Sequence, residues 1–298
     1  MLYISHHLDE IFQIAERVTV LRDGQLVFNG DVGSMTTDEL VEKMFGQVVH
    51  HIDRQRGERE PETALELTDV VVGDRVRGVS CRIDVGEVVG FTGGVGSGTS
   101  ELAAVIVGAI RCDSGTVVLA GVGQVGSRRV ASNSIAYLPA DRKRRGLLLE
   151  RSTGENLMLA HLAVKGSPWF RPSATRRLAG ELMERAEVKC DSPERGVHTL
   201  SGGNQQKVII GRWLDVGSKV LVFDEPTAGI DIPSKLEIYR TLRRLADEGA
   251  AVVICSTDFQ EIGLVSDRVL VLRDGRIVGE VEGEDATEQR LIELEMSA

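Results

Sequence analysis

Apolar positions along the chain fall into three patterns, and each predicts a different element. Continuous runs such as Val88-Val89-Gly90-Phe91-Thr92 and Val220-Leu221-Val222-Phe223 lack the alternation of a half-exposed strand. They predict strands buried on both faces of a parallel sheet. Residues 64–67 and 86–91 read as strands. Helical spacing predicts helices over 101–110, from Ser201 onward through Val208, Ile209, Trp213 and Leu214, and over 234–248. The last carries Leu236, Tyr239, Leu242 and Leu245 on one face, with Gly249 past its end, where a left-handed residue closes a helix. Alternation around a central Asp-Gly predicts hairpins near 17–27 and 268–278, because Asp-Gly suits the tight turn that joins antiparallel strands. Buried strands interleaved with helices make this an α/β protein.

The two hairpins belong to one internal repeat. Residues 4–27 set against 255–278 agree at 11 of 24 positions, from Ser5/Ser256 and Glu10/Glu261 to Asp23/Asp274, Gly24/Gly275 and Val27/Val278. Two unrelated hairpins would explain the Asp-Gly turns but not the identities before them. The second copy closes a long α/β unit, whereas the first stands at the start of the chain. Residues 1–33 therefore read as the tail of a truncated first domain, expected to lack a core of its own. Residues 34–63 read as a helix and a charged linker through Arg54-Gln55-Arg56-Gly57-Glu58-Arg59-Glu60-Pro61, and 64–298 as a complete second domain.

Composition narrows the function classes. At 298 residues and 42% hydrophobic the chain has the size of two ordinary domains and material for a sizeable core. Lys and Arg number 35 against 45 Asp and Glu, a formal charge of −10, so nucleic acid is not an expected partner. The cysteines, Cys81, Cys112, Cys190 and Cys255, lie far apart without metal-ligand spacing, which points to a reducing compartment. No apolar run has the length of a membrane span, and the amino terminus lacks the pattern of a signal peptide.

Candidate chemistry lies at strand ends. The strand at 88–92 feeds Gly93-Gly94-Val95-Gly96-Ser97-Gly98-Thr99-Ser100, the context in which glycines let backbone N–H groups converge on phosphate at a helix start. Thr99 stands where a phosphate loop carries lysine, so taken alone the segment also reads as a mere turn. The apolar run at 220–223 ends in Asp224-Glu225. At the carboxyl edge of a parallel sheet such a pair can hold Mg²⁺ and orient or deprotonate a water; a solvated loop start is the alternative. Ser201-Gly202-Gly203 opens a helix and is a second anion site of the same kind.

Leu200-Ser201-Gly202-Gly203-Asn204-Gln205-Gln206-Lys207 followed by Asp224-Glu225-Pro226-Thr227-Ala228-Gly229-Ile230-Asp231 resembles the signature, Walker B and D-loop segments of ABC-transporter ATPases. The Asn-Gln-Gln-Lys ending and the segment from Tyr137 to Leu147 resemble the branch that serves ribose, galactose or xylose permeases. The resemblance covers 64–298 and the tail at 1–33. It implies a P-loop NTPase fold, α/β with an antiparallel β portion at about 64–122 and a helical subdomain at about 145–200. It implies ATP and Mg²⁺, with Gly93, Gly94, Gly96, Gly98, Thr99 and Ser100 on the phosphates, Ser100 and Asp224 on the metal, and Glu225 and His6 in catalysis. Ser201, Gly202 and Gly203 would face the phosphate loop of another domain, either a first ABC ATPase domain or a second copy. Implied partners are membrane permease subunits and, indirectly, a sugar-binding protein, with this chain peripheral on the cytoplasmic face.

Three departures go with the resemblance: Thr99 for lysine, Thr257 opposite His6 in the repeat, and no Gln in Leu138–Asp141. The alternative reading is a degenerate, regulatory half that lends its signature to a partner without hydrolysing ATP. A soluble ABC ATPase acting on DNA or ribosomes would call for long coiled coil, zinc cysteines or a basic linker, and the sequence has none. His7 reads as structural, Arg142-Lys143-Arg144-Arg145 as a solvated loop, to which the resemblance also gives a role near nucleotide or permease, Trp169-Phe170 as core rather than permease contact, and the acidic stretch 282–295 as solvated helix.

Overall fold

Bulged hairpins and fully buried strands carry most of the architecture; the computed structural model describes residues 3, 8–22, 25–36, 39–40, 43, 61–125, 134–166 and 172–297. Near the amino end α1 (Leu8–Ile14) leads into β1 (Arg17–Arg22), paired antiparallel with β2 (Gln25–Asp31). Next come β3 (Thr63–Val72), β4 (Val76–Asp84), β5 (Val88–Thr92), α2 (Thr99–Ile106), β6 (Ser114–Leu119), β7 (Gly123–Gln124) and β8 (Ile135–Leu138). Helices α3 (Thr153–Lys165), α4 (Pro172–Arg185) and α5 (Gly202–Gly211) follow. The chain closes with β9 (Val220–Asp224), α6 (Ile232–Asp247), β10 (Ala251–Ser256), α7 (Phe259–Val265), β11 (Arg268–Arg273), β12 (Arg276–Glu282) and α8 (Glu288–Ser297).

Six strands form the central sheet in the order β12-β11-β5-β10-β9-β8, parallel except for the antiparallel edge strand β12. Every residue of β5, β9 and β10 is buried. Period-two alternation sorts their side chains into two cores. Val88, Leu221, Phe223, Val252 and Ile254 join helices α3 to α7 on one face. Val89, Phe91, Val222, Val253 and Cys255 join α2 and the four-stranded antiparallel sheet β4-β3-β6-β7 on the other. Each such aliphatic side chain contributes roughly 1.5–3 kcal/mol by leaving water.

Strand β4 escapes a pattern reading for a physical reason. Its buried residues Val76, Val79 and Ile83 lack the spacing of a strand, because the β3–β4 pairing shifts register at several points and Gly78 has φ +76°. Helix α2 ends at Ile106, short of the expected 110. Gly108 follows at φ +71° and Ile110 is exposed, so a left-handed glycine stops the helix that the apolar spacing would extend. Helix α6 starts at the capping residue Asp231, whose carboxylate accepts from Ser234 N at 3.0 Å, with Pro233 in the first turn. The basic run folds as a π-helical turn, Arg142–Gly146.

The repeat is structural as well as sequential. Elements α1, β1, β2 and the 3-10 turn Val32–Ser34 correspond at a constant offset to α7, β11, β12 and Gly283–Asp285. Both hairpins carry a bulge at the same place, between Val20 and Leu21 and between Val271 and Leu272. Contrary to expectation, the amino-terminal segment gathers a small core of Ile11, Val18, Val20, Val32 and Leu40. The copies differ in what lies beside them. Strand β11 also pairs with β5 and Leu272 is fully buried, whereas Leu21 is 68% exposed and β1 pairs only with β2 among the described residues.

One buried cation ties α5 to α6. Lys207 is 2% exposed; its Nζ donates to Glu237 Oε2 at 2.7 Å and to the Glu187 carbonyl at 3.1 Å. Lys189 Nζ donates to the other carboxylate oxygen at 3.0 Å. Removing Lys207 takes from Glu237 one of its two cations and leaves the Glu187 carbonyl without this donor. Lys207→Ala is expected to lower the unfolding free energy by about 2 kcal/mol, read from urea denaturation; an unchanged midpoint would contradict the assignment.

Candidate functional site

Three strands deliver the candidate residues to one edge of the central sheet. Strand β5 ends in the loop 93–98, and α2 begins at Thr99 with its amino-terminal N–H groups turned toward the loop. Close approach fixes the loop's shape. Gly98 has φ +100°, and a β-carbon built on it would stand 2.1 Å from the Arg75 carbonyl oxygen. Gly275 has φ +78°, and its β-carbon would stand 2.5 Å from the same oxygen. Gly275 N donates to Ser97 O at 3.0 Å and Arg77 N to Gly275 O at 2.7 Å. The β3–β4 turn, the β11–β12 turn and the glycine loop are thereby locked together, and any side chain at 98 or 275 would force them apart.

Asp224 at the end of β9 is 5% exposed. Ser100 Oγ donates to its Oδ1 at 2.8 Å and Tyr137 Oη to its Oδ2 at 3.2 Å. Burial pushes the Asp224 carboxyl above its ordinary value, opposed by these two hydrogen bonds. The Tyr137 hydroxyl is raised too, by burial and then by the Asp224 charge. Glu225 sits at φ +48°, a strained conformation for a residue with a β-carbon. Its amide donates to Cys255 O at 2.8 Å, and its Oε1 accepts from Thr257 N at 2.8 Å. Thr257, which the repeat sets opposite His6, thus meets Glu225 through its main chain. His6 itself lies outside the described residues, as do His7, Trp169 and Phe170.

One group borders the glycine loop that no local pattern predicts. A Glu295 carboxylate oxygen accepts from Gly94 N, and a β-carbon on Gly94 would stand 2.7 Å from it. Helix α8 is held there by fully buried Leu291 and by Arg273 Nη1, which donates to Glu295 O at 2.8 Å. The acidic stretch is therefore a docked helix rather than a solvated one. Thr99, at the lysine position, is buried.

Ser201 caps α5, its Oγ accepting from Asn204 N at 3.4 Å and also from Asn204 Nδ2 at 3.0 Å. Gly203 lets α5 approach α6, since its β-carbon would fall 2.4 Å from Ser234 Cβ. Arg142 is no solvated loop residue: Nη1 donates to Ala228 O at 2.5 Å and Nη2 to Gly229 O at 3.2 Å. Its Nη2 also lies 2.8 Å from a β-carbon built on Gly202, so one guanidinium joins the turn after β9 to the start of α5. Lys143, Arg144 and Arg145 remain exposed. Ser100, Asp224 and Glu225 are thus brought to one edge with the glycine loop. Among the described residues no hydrogen bond or ion pair links Ser201, Gly202 or Gly203 to it.

Residues 76–228, which carry the glycine loop, the Ser201 turn and the Asp224-Glu225 pair, match the profile of the ABC transporter family. The chain belongs to that family. It is 39% identical over 300 residues to the ribose import ATP-binding protein RbsA 1 of Rubrobacter xylanophilus, covering 99% of this chain and 60% of that protein. It is 38% identical over 307 residues to the arabinose import ATP-binding protein AraG of Mannheimia succiniciproducens, again covering 99% and 60%. The ABC transporter chain thus spans about 60% of the length of these relatives. In fold it is similar to a dimeric ATP-binding cassette in a post-hydrolysis state bound to ADP and Pi (TM-score 0.64, 22% identity, covering 73% of this chain and 98% of that one). It is similar as well to cbiO1 of Clostridium perfringens (TM-score 0.65, 23% identity, 79% and 93%). Among the described residues of this family member no helix is long and apolar enough to cross a membrane.

Beneath the site lies Glu261, in the first turn of α7 and 4% exposed, with Ser256 Oγ donating to its Oε2 at 3.3 Å. Burial pushes its carboxyl up to about 7 from an ordinary 4.5, with Lys235 pulling against it and Asp258 and Glu225 reinforcing it. A carboxyl raised in the folded state favours folding while protonated, fully below about pH 4.5, and that contribution is lost as pH rises through about 7. Glu261→Gln, neutral throughout, is expected to gain stability relative to the parent across this window, by about 2 kcal/mol at the upper plateau. Unfolding free energies at pH 5 and pH 8 check this; a difference between variant and parent that does not move with pH would contradict it.

Proposed function

We propose that this chain is the ATP-binding part of an ABC importer for a sugar, coupling nucleotide binding and hydrolysis to the movement of a separate membrane permease. The observation that carries the reading is the Ser100–Asp224 contact of 2.8 Å at the mouth of a glycine loop and a helix amino terminus. A hydroxyl and a carboxylate oxygen beside phosphate-binding amides are the hard-oxygen set that Mg²⁺ takes. Bound there, Mg²⁺ neutralises charge on the phosphates. The amides of Gly93, Gly94, Gly96, Gly98, Thr99 and Ser100 hold the phosphate oxygens, the phosphate displacing the Glu295 carboxylate from Gly94 N, and Tyr137 orients the Asp224 carboxylate. Glu225, steadied by the Thr257 amide, accepts a proton from the attacking water or aligns it. The import relatives at 38–39% identity support sugar as the cargo.

In the same reading Ser201, Gly202 and Gly203 serve a nucleotide held by another ABC ATPase domain, either one preceding residue 34 in a longer polypeptide or a second copy. Residues 1–33 belong to that first domain and 64–298 form the second, with 34–63 between them. His6 acts at the first domain's site. Permease subunits and, through them, a sugar-binding protein are the partners, with this chain on the cytoplasmic face of the membrane.

Titration of a fluorescent ATP analogue tests the binding site. Ser100→Ala and Asp224→Asn are expected to weaken affinity in Mg²⁺ by tenfold or more while changing it little in EDTA. Glu225→Gln is expected to keep the parent affinity and lose phosphate release, measured with a separately expressed first domain present. Equal loss in Mg²⁺ and EDTA would contradict the metal assignment, and undiminished turnover in Glu225→Gln would contradict the hydrolytic one.

A further inference from the structure

The lysine missing at Thr99 leaves the glycine loop without its own cation, yet a cation stands beside it. Arg75, in the β3–β4 turn, places Nη1 3.3 Å from a β-carbon built on Gly96. Its main chain is pinned, because its carbonyl oxygen packs against Gly98 and Gly275 and its amide donates to Val72 O at 3.0 Å. Its guanidinium makes no hydrogen bond or ion pair with any described residue. Glu295 lies on the same loop at Gly94 but forms no ion pair with it. The turn therefore holds an arginine's root rigidly against the loop and leaves its five donors unspent. The pinned backbone keeps the side chain within reach of the loop, and the pre-organised planar fork loses less freedom per hydrogen bond and suits phosphate better than an ammonium does.

We propose that Arg75 is the phosphate-binding cation of this site, supplying from the β3–β4 turn the charge that Thr99 does not. The ligand chemistry is the polyphosphate of a nucleoside di- or triphosphate. The inference rests on the nucleotide reading above and adds to it the residue that discriminates phosphate from nucleoside. Arg75 reaches the phosphates across the loop, whereas a lysine at 99 would rise from the first turn of α2. The two positions are thus alternative sources of one charge.

The purified full chain is titrated with a fluorescent ATP analogue, with tripolyphosphate and adenosine as competitors. Arg75→Ala is expected to weaken ATP and tripolyphosphate by about tenfold or more and to leave adenosine within about twofold. Arg75→Lys is expected to keep most of the affinity, and Thr99→Lys added to Arg75→Ala to recover it. Arg75 is exposed, so the thermal midpoint of Arg75→Ala should match the parent, which separates lost binding from lost folding. Parent-like ATP affinity in Arg75→Ala, an equal loss for adenosine, or no recovery with Thr99→Lys overturns the assignment of Arg75 while the nucleotide site stands. A parent chain that binds neither ATP nor tripolyphosphate overturns the nucleotide reading itself.

Discussion

The site depends on three turns meeting around one carbonyl oxygen. The Arg75 carbonyl lies where β-carbons on Gly98 and Gly275 would be, so the glycine loop, the β3–β4 turn and the β11–β12 turn approach only because two residues lack side chains. The elements they join come from two sheets: the β3–β4 hairpin from the antiparallel one, and strand β5 and the edge hairpin β11–β12 from the central one. Hydrogen bonds from Gly275 N to Ser97 O and from Arg77 N to Gly275 O close the junction. An N–H or carbonyl buried here without its partner would cost more than the net gain of an ordinary hydrogen bond, so the loop's shape and the two hairpins are mutually dependent.

Electrostatics build on that frame. The carboxyl end of a buried parallel sheet collects Asp224, Glu225 and Glu261 within one small region, and burial favours the neutral forms of Asp224 and Glu261. Ser100 and Tyr137 hold Asp224 toward its charged form by donating to it. Glu225 is served by a main-chain amide and carries a left-handed backbone. Strain and desolvation at this edge sit above the two cores, with ion pairs farther out at Lys207–Glu237 and Arg243–Asp267.

The repeat isolates the effect of context on one sequence pattern. Arg17–Arg22 and Arg268–Arg273 form the same strand with the same bulge, since local turn chemistry and alternation are alike in both. Leu21 and Leu272 nonetheless differ completely in burial, because among the described residues the second hairpin has β5 beside it and α8 across it and the first has neither. Secondary structure follows from neighbours in sequence, and burial from neighbours in space.

That division runs through the whole protein. Continuous apolar runs, helical spacing and the Asp-Gly turns were enough to read β5, β9, α6 and both hairpins, and the glycine loop, Asp224-Glu225 and Ser201-Gly202-Gly203 were legible as motifs because their spacing is local. Strand β4 was illegible because bulges break its alternation, and the end of α2 because one left-handed glycine overrides apolar spacing. Arg142 read as a solvated charge, and the stretch ending in Glu295 as a solvated helix. Their partners are the carbonyls of Ala228 and Gly229 and the amide of Gly94, far along the chain. Arg75 and Tyr137 gain their places in the same way. By itself the sequence determined which residues form strands, turns and anion-binding loops, since those depend on backbone sterics and periodicity within a few residues. Only the tertiary structure decided which charges face those loops, because a long side chain's partner is chosen by packing between distant elements and leaves no mark on the residues beside it.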